Sequence, residues 1–127
     1  MSGKRILVVE DNEMIRVAME EGIKKLKPDY QVVAVIDGVT ALAALYKQSF
    51  DLMITDYNIP GMTGMDLVSK VQQILPDMRI VMMSAQDIIE IRIEARQRHL
   101  NLDGYLQKPF ALAQVGAVIK HVESQKV

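Results

Sequence analysis

Hydrophobicity in this chain comes in short pulses at 5–9 ("RILVV"), 32–36 ("VVAVI"), 52–55 ("LMIT"), 80–83 ("IVMM") and 104–107 ("GYLQ"). This recurrence limits the fold more than any other feature. Each run has the length of a strand, several are rich in β-branched residues, and turn or charged residues bound them. Their near-continuous apolarity suits a parallel sheet covered on both faces, since a half-exposed strand would alternate. Helical patterns fill the gaps. Ile15, Met19, Ile23 and Leu26 recur at helical spacing until "KPD" at 27–29. A second helix is predicted over 39–48. Thr63 and Asp66 form a capping-box pattern ahead of a third, which Pro76 ends. A fourth is predicted over 87–98 and a fifth over 111–124. Five β-α units with short connections predict a doubly wound α/β domain with helices on both faces and right-handed crossovers, one domain over 1–127.

Composition removes several function classes. Fifteen basic and sixteen acidic residues leave a net charge of −1, so no global field draws nucleic acid or an anionic membrane. The absence of cysteine excludes disulfides and thiolate metal sites. The apolar stretch after the first residues is short for a signal peptide, and no run is long enough for a bilayer span, so a soluble cytoplasmic protein is expected. Nine methionines, Met53, Met82 and Met83 among them, read as core filling, because several lie inside strand runs.

The polar residues at strand ends carry the chemistry. Glu10 and Asp11 follow the first run, Asp56 the third, Ser84 the fourth and Lys108 the fifth. Parallel strands bring these residues to one edge, where open α/β sheets bind ligands. Carboxylates about 5 Å apart repel by about 3 kcal/mol at an effective dielectric near 20. A divalent cation relieves that repulsion, and Mg²⁺ takes one or two carboxylates while keeping waters that phosphate oxygens can replace. With the Lys108 ammonium and the Ser84 hydroxyl, the set makes a receptacle for a phosphoryl group. Singly, each residue has a plainer reading: Glu10 and Asp11 as a helix start, Asp56 as an Asx-turn, Lys108 as a solvated lysine.

In order, "ILVVEDNEMIR" at 6–16, "DGVTALAAL" at 37–45, "FDLMITDYNIPGMTGMDL" at 50–67, "IVMMSAQ" at 80–86 and "DGYLQKPF" at 103–110 resemble the receiver domain of two-component response regulators, in particular a single-domain, chemotaxis-type regulator. The resemblance implies a flavodoxin-like fold with strand order 2-1-3-4-5. It implies Asp56 as phosphoacceptor, charged by a sensor histidine kinase or a phosphotransfer protein. Asp11, Asp56 and the Asn58 backbone carbonyl would hold Mg²⁺, or Mn²⁺ in its place, with Glu10 acting partly through water. Ser84 and Lys108 would contact the phosphoryl oxygens, and Tyr105 would change rotamer on activation. Asn58 and Gln86 would flank the path of attacking water and set the lifetime of the phosphorylated form. The Lys108–Pro109 bond is expected to be cis. The domain would catalyse its own phosphotransfer and dephosphorylation without being an enzyme in the turnover sense. Glu10 stands where aspartate is commoner in the family, Ser84 where threonine is also common, and "NLDGY" departs from the usual approach to the fifth strand.

The fourth helix carries two apolar stripes. Ile88, Ile91 and Ala95 share one side, and Ile89, Ile93 and Leu100 lie well away from it. The second stripe is expected to be a docking or dimerisation patch beside Tyr105, or else a broad stripe wedged between neighbours. It would serve a downstream protein target, with the chain a monomer or a phosphorylation-dependent dimer that contacts neither nucleic acid nor membrane. His99 and His121 lack paired ligand spacing and read as surface residues, as do Lys24, Lys25 and Lys27 near the first helix's end. Three rivals remain: a receiver within a larger regulator or hybrid kinase, a metal-dependent phosphatase using Asp56 as nucleophile, and a flavin module. The phosphatase lacks a second acid at position 58, and "EDNE" would repel a flavin phosphate.

Overall fold

A computed structural model describes residues 4–125 of the chain. Its strands are β1 (Arg5–Val9), β2 (Gln31–Val35), β3 (Leu52–Asp56), β4 (Arg79–Ser84) and β5 (Gly104–Gln107). They form one sheet in the order β2-β1-β3-β4-β5, with every neighbouring pair parallel. Its helices are α1 (Glu13–Leu26), α2 (Gly38–Lys47), α3 (Gly64–Ile74), α4 (Ile88–Gln97) and α5 (Leu112–Ser124). The expected alternation and strand order are both present.

Side-chain parity within the strands divides the core in two. Leu7, Val9, Met53, Ile80 and Met82 pack with residues of α2, α3 and α4, such as Ala41, Val68 and Ile91. Ile6, Val8, Ile54, Val81 and Met83 pack instead with Met19 and Ile23 of α1 and with Val115 and Ile119 of α5. Adjacent strand residues face opposite sides, so an apolar run with no polar interruption feeds both layers. Burying each large aliphatic side chain contributes about 1.5–3 kcal/mol, which favours the central β3, buried along its whole length. Met53, Met82 and Met83 fill the core as expected, whereas Met14 on α1 is 82% exposed.

The helix starts follow their capping residues. Asn12 accepts the Ile15 N–H and begins α1, so neither Glu10 nor Asp11 is spent as its cap. Asp37 with Thr40 and Thr63 with Asp66 form capping boxes at α2 and α3, the second as the sequence predicts. Asp87 accepts the Ile89 N–H at the start of α4.

Two details differ from the sequence reading. The second strand lies one residue earlier than its apolar run: Glu10 N–H closes the ladder on the Val35 carbonyl, and Ile36 is left half exposed. The segment after β3 is more ordered than a plain turn. Asn58–Ile59 pairs antiparallel with Met62–Thr63 across Pro60 and Gly61, and Gly61 adopts φ +84°, a conformation that favours glycine. Among the described residues, no helix is long and apolar enough to cross a membrane.

Candidate functional site

Strand register assembles the site. Val9 pairs with Thr55 and Asp56 with Met83, so Glu10 and Ser84, each one residue further along its strand, flank Asp56 at the carboxyl edge. Ser84 pairs in turn with Gln107, which places Lys108 just beyond the same edge. Glu10 is 1% exposed and Asp56 6%, and Ser84 is buried as well. Lys108 Nζ donates to Glu10 Oε1 at 2.8 Å and lies 3.1 Å from Asp56 Oδ2. Glu10, Asp11 and Asp56 each offer a carboxylate oxygen within 4.8 Å of the others.

The loops hold this geometry from behind. Tyr57 N–H donates to the Met83 carbonyl at 2.8 Å, extending the β3–β4 ladder past Asp56. Gly64 N–H donates to the Tyr57 carbonyl at 2.6 Å. A Cβ on Gly64 would sit 2.3 Å from the Asp56 carbonyl oxygen, so only glycine lets α3 start so close to the end of β3. Lys108 N–H donates to the Ser84 carbonyl at 2.8 Å, and its bond to Pro109 is cis. Ser84 Oγ accepts the Gln86 N–H at 2.9 Å, and the hydroxyl hydrogen is not spent in that bond.

Burial sets the electrostatics. It raises the proton affinity of Glu10 and Asp56 above the ordinary carboxylate value; the Lys108 hydrogen bonds oppose that rise without cancelling it, and neighbouring acids add to it. For Lys108, burial works against the ammonium, but the hydrogen bonds and charges of Glu10 and Asp56 together outweigh it and the lysine holds its proton more firmly than usual. Three carboxylates against one ammonium leave an excess of two negative charges when all are ionised (3 − 1 = 2). That deficit matches a divalent ion. An all-oxygen donor set is the one hard cations such as Mg²⁺ prefer, so the residues fit such an ion.

The remaining expected residues occupy the following positions. Asn58 is exposed on the hairpin opposite Thr63, and Gln86 is exposed on the β4–α4 loop, its carbonyl accepting from Gln107 Nε2 at 3.3 Å. Tyr105 is half-buried against the α4-side core, with the Arg92 guanidinium 5.2 Å from its ring centroid. On α4, Ile91 and Ala95 are buried, while Ile89 and Ile93 are 64% and 51% exposed. Leu100, grouped with that pair in the sequence, packs against the core instead, because it lies past the end of α4 where the chain turns in toward β5. His99 and His121 are exposed. A cleft of about 700 Å³ lies at the opposite edge of the sheet among Leu45, Tyr46, Phe50, Leu75 and Met78, away from these groups.

Sequence reasoning missed three contributors. Arg16 Nη1 donates to the carbonyls of both Glu10 and Asp11 at 3.2 Å. Tyr57 Oη donates to Glu94 Oε1 at 2.7 Å, and Arg98 joins Glu94 to Asp66. Gly64's tight approach is the third. For Arg16 a signal existed, since an arginine five or six residues after an acidic strand end sits one turn into the next helix, within reach of the loop.

A family model described as "Response regulator receiver domain" matches residues 6–120. Transcriptional regulatory protein QseB of Haemophilus influenzae is 32% identical over 89% of this chain and 49% of its own, so the chain spans about half of that relative's length. Chemotaxis protein CheY of Pseudomonas aeruginosa is 37% identical over 84% of this chain and 85% of its own. The structure of chemotaxis response regulator CheY4 of Vibrio cholerae superposes with a TM-score of 0.86 at 28% identity, covering 95% of this chain and 99% of that one.

Proposed function

The chain belongs to the response regulator receiver family, and from that premise we propose that it is a phosphoacceptor switch with Asp56 as the acceptor. The observation that carries the reading is the Lys108 ammonium held between the buried carboxylates of Glu10 and Asp56 at the carboxyl edge of the central strand. Asp56 ends a strand packed on both sides, so its carboxylate is held in place before any donor arrives. That favours an in-line approach.

In the transfer step an Asp56 carboxylate oxygen forms a bond to phosphorus. The bond from phosphorus to the donor nitrogen of a phosphohistidine breaks, and its electron pair stays on that imidazole. Lys108, already within bonding distance of Asp56, has donors to turn toward the phosphoryl oxygens, and Ser84 supplies its unspent hydroxyl hydrogen. Asp11, Asp56 and the backbone carbonyl of Asn58 would hold Mg²⁺ or Mn²⁺, with Glu10 contributing partly through water. Such an ion supplies neutralisation of the excess negative charge on carboxylates and phosphoryl group alike. Asn58 and Gln86 flank the approach of the water that later removes the group.

Phosphorylation replaces one negative charge on Asp56 by about two and adds acceptor oxygens. Drawing Ser84 and Lys108 onto them shifts the loops after β4 and β5, and Tyr105, half-buried beside Arg92, then changes rotamer. The output is a population shift on the surface formed by α4, β5 and α5, to which α4 contributes the exposed apolar Ile89 and Ile93. The product is a changed surface rather than a released chemical. We read residues 1–127 as one such domain, acting in the cytoplasm with a histidine kinase or phosphotransfer protein upstream and a protein target downstream, as a monomer or a phosphorylation-dependent dimer.

The test is incubation with Mg²⁺ and acetyl phosphate followed by intact-mass measurement of the wild type and Asp56→Asn. One phosphoryl adduct on the wild type alone is expected. An equal adduct on both proteins, or none on either, refutes the assignment.

A further inference from the structure

Two consecutive carbonyls at the end of β1, those of Glu10 and Asp11, lie outside both the sheet ladder and the α1 helix. The first main-chain oxygen taken into α1 is that of Asn12, which accepts the Arg16 N–H at 2.9 Å. Among the described residues, the donor that reaches both preceding oxygens is a single side chain: Arg16 Nη1, 3.2 Å from each. Its guanidinium grips two successive peptide planes at once. Those planes carry the side chains of Glu10, which is buried and bonded to Lys108, and of Asp11, which is exposed.

We infer that Arg16 is a positioning residue for the divalent-cation site, fixing the turn that aims Asp11 and Glu10 at Asp56. The inference rests on the proposed phosphoacceptor reading and extends it to a residue outside the acid cluster. Arg16 touches main-chain oxygens rather than carboxylates, so it orients the donors without competing with the ion for them. Arginine suits this role because it stays charged at any ordinary pH and its planar head presents several donors in fixed directions. Groups that orient ligands from behind typically change metal affinity by about 10–100-fold when removed. Arg16 acts through the backbone of two of the three acids, so an effect near the lower end, about tenfold, is expected.

The sign of the effect separates positioning from charge. Deleting a cation beside an acidic cluster, by simple electrostatics, should tighten divalent-ion binding. Losing the grip on the turn should weaken it.

The experiment measures Mn²⁺ affinity directly, from the free-ion electron paramagnetic resonance signal, for the full chain, Arg16→Ala, Arg16→Lys and Lys25→Ala. The last removes an exposed cation from the far end of α1. The temperature is one at which circular dichroism shows every protein folded. If Arg16→Ala does not fold, Arg16→Met, which keeps the aliphatic stem, replaces it. We expect about tenfold weaker Mn²⁺ binding for Arg16→Ala, with only partial recovery in Arg16→Lys, whose ammonium lacks the planar head, and none of the loss in Lys25→Ala. The phosphorylation rate from acetyl phosphate should regain the wild-type plateau at saturating Mn²⁺. Unchanged or tighter binding in Arg16→Ala overturns the positioning role while leaving the phosphoacceptor reading intact. A wild type that binds no Mn²⁺ and gains no phosphoryl group overturns both.

Discussion

Replacing Lys108 with methionine tests how the site balances its charges. The ammonium lies 2.8 Å from Glu10 and 3.1 Å from Asp56, with both partners buried. At an effective dielectric near 20, those two attractions are each worth about 5–6 kcal/mol gross. Desolvating the three ions offsets most of that sum, so the bridge itself is a modest net stabiliser. Removing one partner is a different matter, because two buried carboxylates then face each other unpaired, at a cost of about 3–5 kcal/mol. For a domain of this length, that corresponds to a melting temperature lower by roughly 10–20 °C. The assay is thermal unfolding in EDTA at neutral pH. Three controls sharpen it. Mg²⁺ should restore part of the loss by supplying positive charge in place of the ammonium. Acid should narrow the gap, because Glu10 and Asp56 already hold protons more tightly than usual and would take them up first. Asp56→Asn in the Lys108→Met background should recover more than half. In the wild type the Lys108 proton affinity is raised above its usual 10.5, so its contribution is complete below that pH and lost as pH climbs past it. A Lys108→Met protein that loses under about 1 kcal/mol in EDTA would refute the reasoning, since exposed pairs behave that way and buried ones do not.

Gly64→Ala should cost about 2 kcal/mol or more by chemical denaturation and slow phosphorylation, because the new Cβ meets the Asp56 carbonyl oxygen at 2.3 Å and that oxygen, being backbone, cannot swing aside. Wild-type stability would argue that α3 can retreat without disturbing Asp56. Tyr57→Phe should cost about 1 kcal/mol by losing the bond to Glu94, which keeps Arg98 as a partner. That hydrogen bond, with burial and the Glu94 charge, pushes the Tyr57 hydroxyl up from 10.0 to about 12. Its native state therefore holds the proton more tightly than the unfolded chain, and this share of stability is present below pH 10 and lost toward pH 12. A denaturation series should show a shallower alkaline decline in Tyr57→Phe, with the Tyr30–Glu123 share common to both proteins; identical declines would remove Tyr57 from the account. The doubly substituted Ile89→Asp, Ile93→Asp protein should take up phosphate normally yet lose association with its target or with itself. Unchanged association in the phosphorylated form would show that the exposed pair is not a docking patch.

Much of this site is written locally. Asp56 could be placed because a short apolar run announces a buried strand and the next residues announce a turn. Strand polarity then brings Glu10, Ser84 and Lys108 to the same rim. Helix starts were legible where a side chain caps its own backbone, as at Thr63 and Asp66. Contacts decided by helix rotation and loop path were not. The spacing puts Arg16 within reach of the loop, but only the docking of α1 turns its side chain back to the carbonyls of Glu10 and Asp11. Leu100 shares a wheel position with Ile89 and Ile93, yet it lies past the end of α4, where the wheel no longer applies. The Tyr57–Glu94–Arg98–Asp66 chain links residues up to 41 positions apart (98 − 57), and no local pattern announces it.

Chemical capture of the acyl phosphate identifies the phosphorylated side chain itself. The protein is treated with acetyl phosphate and Mg²⁺, reduced with borohydride and mapped by peptide mass spectrometry. Conversion of Asp56 to homoserine is expected, dependent on the divalent ion and absent in EDTA. Homoserine at Asp11 or at another acid, or at no residue while the ion is present, would contradict it.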